Sequence, residues 1–319
     1  MRLPYKLYAL DVRERRVPTN DIELNVFTTG EGPLAILAHG FPEGWASWGP
    51  QIHHLVAAGY RVAVPEMRGY GASDAPTRVS DYDTLELAAD MAGLVDALNG
   101  GEPALLIGHD WGCVVAWNTA MLYPQKLVGV GGLSVPWLGR GEAPLLDVLE
   151  AALPGKYFYI TDFQQDSTVA AMDRDRAEAL RIMLCGDVDM LNQANDGRGV
   201  LERAEMPAEQ PDYMPQEFID YLASRYEFHG FGPPLNWYRN FSRTFERLQG
   251  VDDTIHVPAM FLTTMGDWTW QFTQMAGIDD TALFSDLRLR NEIEGSHWLG
   301  QEHPDWVNAR IDEFLALIC

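Results

Sequence analysis

The feature that most constrains this chain is the stretch Ala-Leu-Leu-Ile-Gly-His-Asp-Trp-Gly at residues 104–112. Its apolar start predicts a short buried strand, and the apolar residues from Trp111 to Tyr123 have the spacing of a helix. The glycines on either side of Asp110 would allow a sharp turn and a close approach of the backbone. Asp110 would then stand off the end of the strand, beside the N–H groups that begin the helix. An aspartate presented in this way is a candidate nucleophile.

The chain before residue 136 alternates strand and helix patterns. We predict strands at 21–29, 34–38, 60–66, 104–107 and 127–133, and helices at 48–58, 85–98 and 111–123. Polar and apolar residues alternate in 21–29, which is typical of an antiparallel edge strand. The overall alternation predicts an α/β fold with a mostly parallel, doubly wound sheet.

The pattern changes at Pro136 and becomes helical until about residue 250. Helices are predicted there at 143–152, 173–185, 215–228 and 235–249, before strands at 257–264 and 287–294 and a closing helix at 304–317. We therefore expect a first core part at 1–136, an inserted helical cap at 137–250 and a second core part at 251–319. Such a cap would cover the carboxyl ends of the strands, where open α/β sheets bind their ligands.

Composition restricts the partners and the compartment. The chain has 46 acidic and 23 basic residues, a net charge of −23, which argues against nucleic acid or an anionic membrane as a partner. Cys113, Cys185 and Cys319 are far apart, which indicates a reducing compartment rather than a disulfide framework. No signal peptide or membrane-spanning run is apparent. We expect a soluble, cytoplasmic monomer or homodimer.

Asp267 and His297 complete a candidate set of catalytic residues. Each follows a predicted strand, as Asp110 does, so all three should meet at one edge of the sheet. A carboxylate nucleophile suits attack on a saturated carbon, which gives an ester that water activated by His297 could hydrolyse. Asp267 would orient the imidazole. The backbone N–H groups of Phe41 and Trp111 would bind the developing oxyanion.

Each of these three residues also has an ordinary structural interpretation. Asp110 could simply cap the helix that follows it. Asp267 could form a turn, and His297 could be a loop histidine. Their order along the chain and their places at strand ends favour the catalytic interpretation. No metal or nucleotide cofactor is expected, because ligand-spaced His/Cys clusters and phosphate-binding glycine patterns are lacking.

Five segments carry a resemblance to a known family. They are residues 39–48 (HGFPEGWASW), 67–76 (MRGYGASDAP), 108–112 (GHDWG), 157–164 (YFYITDFQ) and 230–240 (GFGPPLNWYRN). These segments resemble the α/β-hydrolase-fold epoxide hydrolases, closest to the soluble, plant-like branch, and the resemblance covers nearly the whole chain. It implies an α/β-hydrolase fold with a cap. It also implies conversion of a small lipophilic epoxide and water into a vicinal diol.

The resemblance further implies two tyrosines in the cap that protonate the opening ring. They fall at Tyr159 and Tyr238, with Tyr157 as a rival for the first position. After Gln164 the chain departs from the Glu-Pro-Gly common in the family, which affects the local shape of the cap. The aromatic residues near these segments predict a lipophilic substrate site made of Phe41, Trp111, Tyr157, Phe158, Trp237 and Trp298.

Two other functions share this fold. A haloalkane or haloacid dehalogenase also uses an aspartate nucleophile, and Trp111 could donate its indole N–H to a halide. Phe41, where many haloalkane dehalogenases have asparagine, and the two cap tyrosines argue against it. A non-catalytic ligand receptor is also possible, because a fold does not imply a function. The aspartate at position 110 disfavours a serine esterase.

Overall fold

The computed structural model describes residues 4–187 and 193–318. An eight-stranded sheet forms its centre, in the spatial order β1-β2-β4-β3-β5-β6-β7-β8. The strands are β1 Arg13–Thr19, β2 Ile22–Thr29, β3 Leu34–Ala38, β4 Arg61–Pro65, β5 Ala104–His109, β6 Leu127–Leu133, β7 Ala259–Thr264 and β8 Leu287–Ile293. β1 and β2 pair antiparallel, as do β2 and β4, and the remaining pairs are parallel. The predicted mostly parallel α/β sheet is confirmed.

Helices cover the sheet and fill the chain between β6 and β7. They are α1 Gly49–Ala57, α2 Thr84–Asn99, α3 Trp111–Leu122, α4 Leu145–Ala152, α5 Tyr159–Asp162, α6 Asp166–Arg174, α7 Arg176–Cys185, α8 Val200–Arg203, α9 Gln216–Tyr226, α10 Gly232–Tyr238, α11 Phe241–Arg247, α12 Trp268–Met275, α13 Leu299–Glu302 and α14 Pro304–Ile318. Short 3₁₀ turns occur at Leu7–Ala9, Trp45–Trp48, Val79–Tyr82 and Pro124–Lys126. We call residues 137–250 the cap segment; it contains α4 to α11.

The central strands are buried because helices cover both faces of the sheet. Every residue of β3, β5 and β7 is buried, which explains why these strands appear in the sequence as continuous apolar runs. Asp110 follows β5 directly, and Asp267 and His297 follow β7 and β8. The parallel direction of these strands therefore brings all three residues to one edge of the sheet.

The prediction that 21–29 forms the edge strand is wrong. β2 lies between β1 and β4, and β1 is the edge. β1 was missed because its sequence Arg-Glu-Arg-Arg-Val-Pro-Thr has almost no apolar pattern, and its first four residues are exposed. Charged side chains and a proline are typical of an edge strand, since they prevent another strand from pairing with it.

Two predicted helices of the cap segment are each divided. The 235–249 pattern forms α10 and α11, which are separated at Asn240, whose side-chain amide donates to the carbonyl oxygens of Asn236 and Val79. The 173–185 pattern covers the last residues of α6 and the whole of α7. The two helices are separate because Asp175 accepts a hydrogen bond from the N–H of Glu178 and caps α7. Side-chain bonds of this kind leave no trace in hydrophobic periodicity. Cys319 lies outside the described residues.

Ion pairs to buried carboxylates join the cap segment to the rest of the chain. Arg225 of α9 forms two hydrogen bonds with Glu66, of 2.6 and 2.7 Å, and the Glu66 side chain is only 2% exposed. Arg243 and Arg247 of α11 bind the carboxylate of Asp83, which is fully buried and also caps α2. These carboxylates are shielded from water, and the charge of the cap arginines compensates part of the lost hydration.

No helix in the described ranges is both long and apolar enough to span a membrane.

We predict that Arg225→Ala lowers the free energy of unfolding by about 3–5 kcal/mol, because it leaves the Glu66 charge buried without its partner. Arg181→Ala is the matched control. It removes an arginine of the same cap segment whose partner, Glu178, is 46% exposed, and such a pair contributes about 1 kcal/mol or less. Urea unfolding of both variants at 25 °C measures the difference. Equal losses would contradict a structural role for the buried pair.

Candidate active site

Asp110 occupies a strained turn between β5 and α3. Its backbone has φ 52° and ψ −121°, a conformation that side-chain-bearing residues rarely adopt. A Cβ atom on Gly108 would overlap the carbonyl of Gly112, and one on Gly112 would overlap the carbonyl oxygen of Ala38. Both glycines are therefore required by close backbone contacts. The strain holds the Asp110 side chain above the sheet edge, and such strain is common at functional sites.

The two oxygens of the Asp110 carboxylate have different surroundings. Oδ1 accepts a 2.7 Å hydrogen bond from the backbone N–H of Phe41. Oδ2 lies 3.5 Å from Nε2 of His297. Trp111 is the first residue of α3, where backbone N–H groups have no partner within the helix. Oδ1 is thus held by a backbone donor, whereas Oδ2 faces the histidine.

His297 is held by a fully buried carboxylate on its other side. Its Nδ1 lies 2.6 Å from Oδ2 of Asp267, whose Oδ1 accepts from both the N–H and the hydroxyl of Thr269. Ser134, the first residue after β6, donates its hydroxyl to the same Oδ2 at 2.5 Å. The structure therefore brings Asp110, His297 and Asp267 together, with the imidazole between the two carboxylates.

These contacts set the protonation states. Burial alone would raise the pKa of Asp267, but the charge of His297 and the hydrogen bonds from His297, Ser134 and Thr269 lower it to about 2. Burial would lower the pKa of His297, yet the carboxylates of Asp267 and Asp110 raise it well above its ordinary value. The resting site thus favours an imidazolium between two carboxylates.

A second buried pair lies beneath His297 and was missed in the sequence. Nδ1 of His109 lies 2.8 Å from Oε2 of Glu43, and its Nε2 lies 2.9 Å from the backbone carbonyl oxygen of His297. Burial would raise the pKa of Glu43, but the charge and hydrogen bond of His109 lower it to about 2. The pair ties the loop after β3 to the loop that carries His297. Glu43 and His109 are 66 positions apart in the sequence, so no local pattern could predict this contact.

A cavity of about 680 Å³ opens onto these residues. Its lining includes Asp110, His297, Phe41, Tyr159, Tyr238 and Trp298. Side chains of the cap segment add an aliphatic surface, among them Ile182, Met183, Leu184 and Val200. The cavity can thus hold an apolar molecule against the Asp110 carboxylate. In the described ranges, no three His, Cys, Asp or Glu side chains are grouped to hold a metal ion.

Tyr159 and Tyr238 come from different helices of the cap segment and meet in this cavity. Their ring centroids are 6.2 Å apart. Burial raises the pKa of both phenols well above the ordinary value, and the negative charge of Asp110 raises them further. Both groups therefore stay protonated and are able to donate. Trp268, which follows Asp267, packs edge-on against Tyr159 and also lines the cavity.

Tyr157, the rival to Tyr159, has another role. Its hydroxyl donates to Asp162 at 2.7 Å, and the guanidinium of Arg203 lies 4.0 Å from the centre of its ring. The side chain is buried and is not part of the cavity lining among the described residues. Of the two tyrosines in this segment, only Tyr159 reaches the cavity.

Three other residues predicted to bind substrate also lie behind the cavity wall. Trp237 donates its indole N–H to the carbonyl oxygen of Arg68 and packs edge-on against Trp111. Phe158 packs against Trp268. Trp111, Phe158 and Trp237 do not appear in the cavity lining of the described chain. These three aromatic residues pack against neighbouring side chains, whereas Phe41 and Trp298 line the cavity.

Known proteins share this fold and much of this sequence. The α/β hydrolase fold family model matches residues 33–304. The chain is 37% identical to epoxide hydrolase A of Mycobacterium tuberculosis, over 95% of this chain and 97% of that protein. The chain belongs to the α/β-hydrolase-fold epoxide hydrolase family.

Plant and mycobacterial members of this epoxide hydrolase family are also similar. Epoxide hydrolase 3 of Siraitia grosvenorii is 32% identical over 94% of this chain and 96% of its own length. The crystal structure of epoxide hydrolase A from Mycobacterium thermoresistibile superposes with a TM-score of 0.88 at 37% identity, covering 96% of this chain and 98% of that chain. The family resemblance stated from the sequence is confirmed.

We predict that Gly112→Ala lowers the free energy of unfolding by about 1–3 kcal/mol, because the added methyl group has to displace the end of β3 from the start of α3. Gly232→Ala is the control. Its added Cβ meets only Val169 at 3.7 Å, an ordinary contact, and alanine favours a helix by up to about 1 kcal/mol. Urea unfolding at 25 °C measures both variants. A neutral Gly112→Ala would show that the turn can relax.

Proposed function

We propose that this protein hydrolyses epoxides to vicinal diols through an ester on Asp110. The observation that carries the proposal is the shared cavity, in which the Asp110 carboxylate, the Asp267–His297 pair and the Tyr159 and Tyr238 phenols face one space. The relatives named epoxide hydrolase support the same substrate class. We also propose that the cap segment acts as the lid that encloses this space.

In the first step Oδ2 of Asp110 attacks a ring carbon, and the ring C–O bond breaks. We assign the attack to Oδ2 because Oδ1 is held by the N–H of Phe41. The ring oxygen receives a proton from Tyr159 or Tyr238, so the products are a hydroxyalkyl ester and a tyrosinate. A phenol suits this task because it is protonated in the resting cavity.

In the second step water attacks the carbonyl carbon of the ester. His297 takes a proton from the water, and the N–H groups of Phe41 and Trp111 bind the oxyanion that forms on Oδ1. The intermediate collapses, and the imidazolium gives its proton to the departing oxygen of the diol. The carboxyl group of Asp110 then returns its proton to the tyrosinate, so the net reaction is epoxide plus water to diol.

Formation of the ester also prepares the base. The resting His297 has its pKa raised by two carboxylates, Asp267 and Asp110. Esterification removes the Asp110 charge and with it one cause of the raised pKa. The imidazole is therefore more easily neutral in the ester, which is the state in which it has to accept a proton.

We predict that the purified protein converts styrene oxide to its diol and releases no chloride from 1-chlorobutane. Gas chromatography of the diol and a chloride assay measure the two reactions side by side. Chloride release without diol would favour a dehalogenase. Absence of both products would favour a receptor on the same fold.

We predict that His297→Gln accumulates a covalent adduct on Asp110, because attack needs no histidine whereas ester hydrolysis does. Intact-mass spectra after incubation with styrene oxide should show a gain of one epoxide. Peptide mapping should place the gain at Asp110.

The double variant Asp110→Ala/His297→Gln is the matched control and should gain no mass. A single turnover of the wild-type enzyme in ¹⁸O-water provides an independent check. The label should enter the Asp110 carboxylate, since water attacks the carbonyl carbon of the ester. Label found only in the diol would rule out hydrolysis at the ester carbonyl, and with it the proposed second step.

A further inference from the structure

We propose that Ser134 is a positioning residue of this site, which holds the Asp267 carboxylate in the orientation that serves His297. The inference rests on the proposed function, because it concerns the hydrolysis of the ester on Asp110. Ser134 was not among the residues singled out in the sequence. It stands directly after β6, in the gap between the strands that carry Asp110 and Asp267.

The hydroxyl of Ser134 contacts both members of the acid–base pair. It donates to Oδ2 of Asp267 at 2.5 Å, and its oxygen lies 2.9 Å from Nδ1 of His297. Because the hydroxyl proton is directed to the carboxylate, the oxygen is free to share the Nδ1–H of His297. Ser134 thus stands at the junction of the two groups, on the side opposite to Thr269, which binds the other oxygen of Asp267.

The backbone of Ser134 supports this interpretation. Its φ is 86°, in the left-handed region where glycine is favoured and a residue with a side chain is strained. The position is held by its N–H, which donates to the carbonyl oxygen of Leu262 at 2.8 Å, and by its carbonyl, which accepts from the hydroxyl of Thr263. A glycine would adopt this conformation without strain, yet the chain carries a hydroxyl here. Strain retained in this way indicates that the side chain contributes to function.

Only one of the two chemical steps depends on this hydroxyl. The attack of Asp110 needs neither His297 nor Asp267, whereas ester hydrolysis needs an imidazole whose Nε2 faces the water. Loss of the hydroxyl removes one hydrogen bond to Oδ2 of Asp267 and one contact with Nδ1 of His297. We therefore expect hydrolysis to slow while ester formation is unchanged. A residue that served only the stability of the fold would affect both steps or neither.

The test uses Ser134→Gly and Ser134→Ala with styrene oxide. Both variants lack the hydroxyl, but the glycine relieves the backbone strain and so protects the fold. In each, we expect kcat to fall roughly 10- to 100-fold, the range for a lost hydrogen bond to a charged group. KM should fall in proportion, so that kcat/KM stays nearly constant. Quenched-flow mass spectra should show the ester accumulating on Asp110 within one turnover.

Ser73→Ala is the matched control, because Ser73 is also a buried serine whose hydroxyl is hydrogen-bonded, to the backbone of Asn25 and Glu66. We expect it to lower the melting temperature without changing the ratio of the two steps. Equal slowing of both steps in Ser134→Gly, or no slowing at all, would overturn the role of Ser134. A wild-type enzyme that forms no diol would instead overturn the proposed function, so the two failures are distinguishable.

Discussion

The site depends on one imidazole held between two carboxylates, one of which is fully buried. Asp267 is fully buried and receives hydrogen bonds from His297, Ser134 and Thr269, so it remains charged despite the loss of hydration. Asp110 lies on the opposite side of the ring. Low polarity strengthens these charge interactions. The sheet makes the arrangement possible, because parallel strands deliver their following residues to a common edge.

Sequence patterns could predict much of this architecture, because its parts are local. The buried strands are continuous apolar runs, and the turn at Asp110 requires glycines on both sides, so both are visible in the chain. Because Asp110, Asp267 and His297 each follow a predicted parallel strand, their meeting at one edge of the sheet could be predicted as well. The edge strand β1 was missed because its outward-facing charges hide the period that a strand would show.

Contacts between distant parts of the chain could not be predicted in this way. His109 and Glu43 are 66 positions apart, and Ser134 and Asp267 are 133 apart, so no local pattern connects them. The aromatic residues pose a similar problem. Tyr157 and Tyr159 are two positions apart in the sequence. The Tyr157 hydroxyl donates to Asp162, whereas Tyr159 lines the cavity. The aromatic composition predicted an aromatic site. The packing in the structure was needed to distinguish the aromatic residues that line the cavity from those that do not.

The ion pairs of Arg225, Arg243 and Arg247 bear on the geometry of the site as well as on the stability of the fold. Asp110 follows a strand of the sheet, whereas Tyr159 and Tyr238 belong to the cap segment, which these arginines join to the rest of the chain. The distance between the Asp110 carboxylate and the two phenols therefore depends on how the cap segment is seated on the sheet. Weakening these ion pairs would thus change the spacing of the groups that face the cavity.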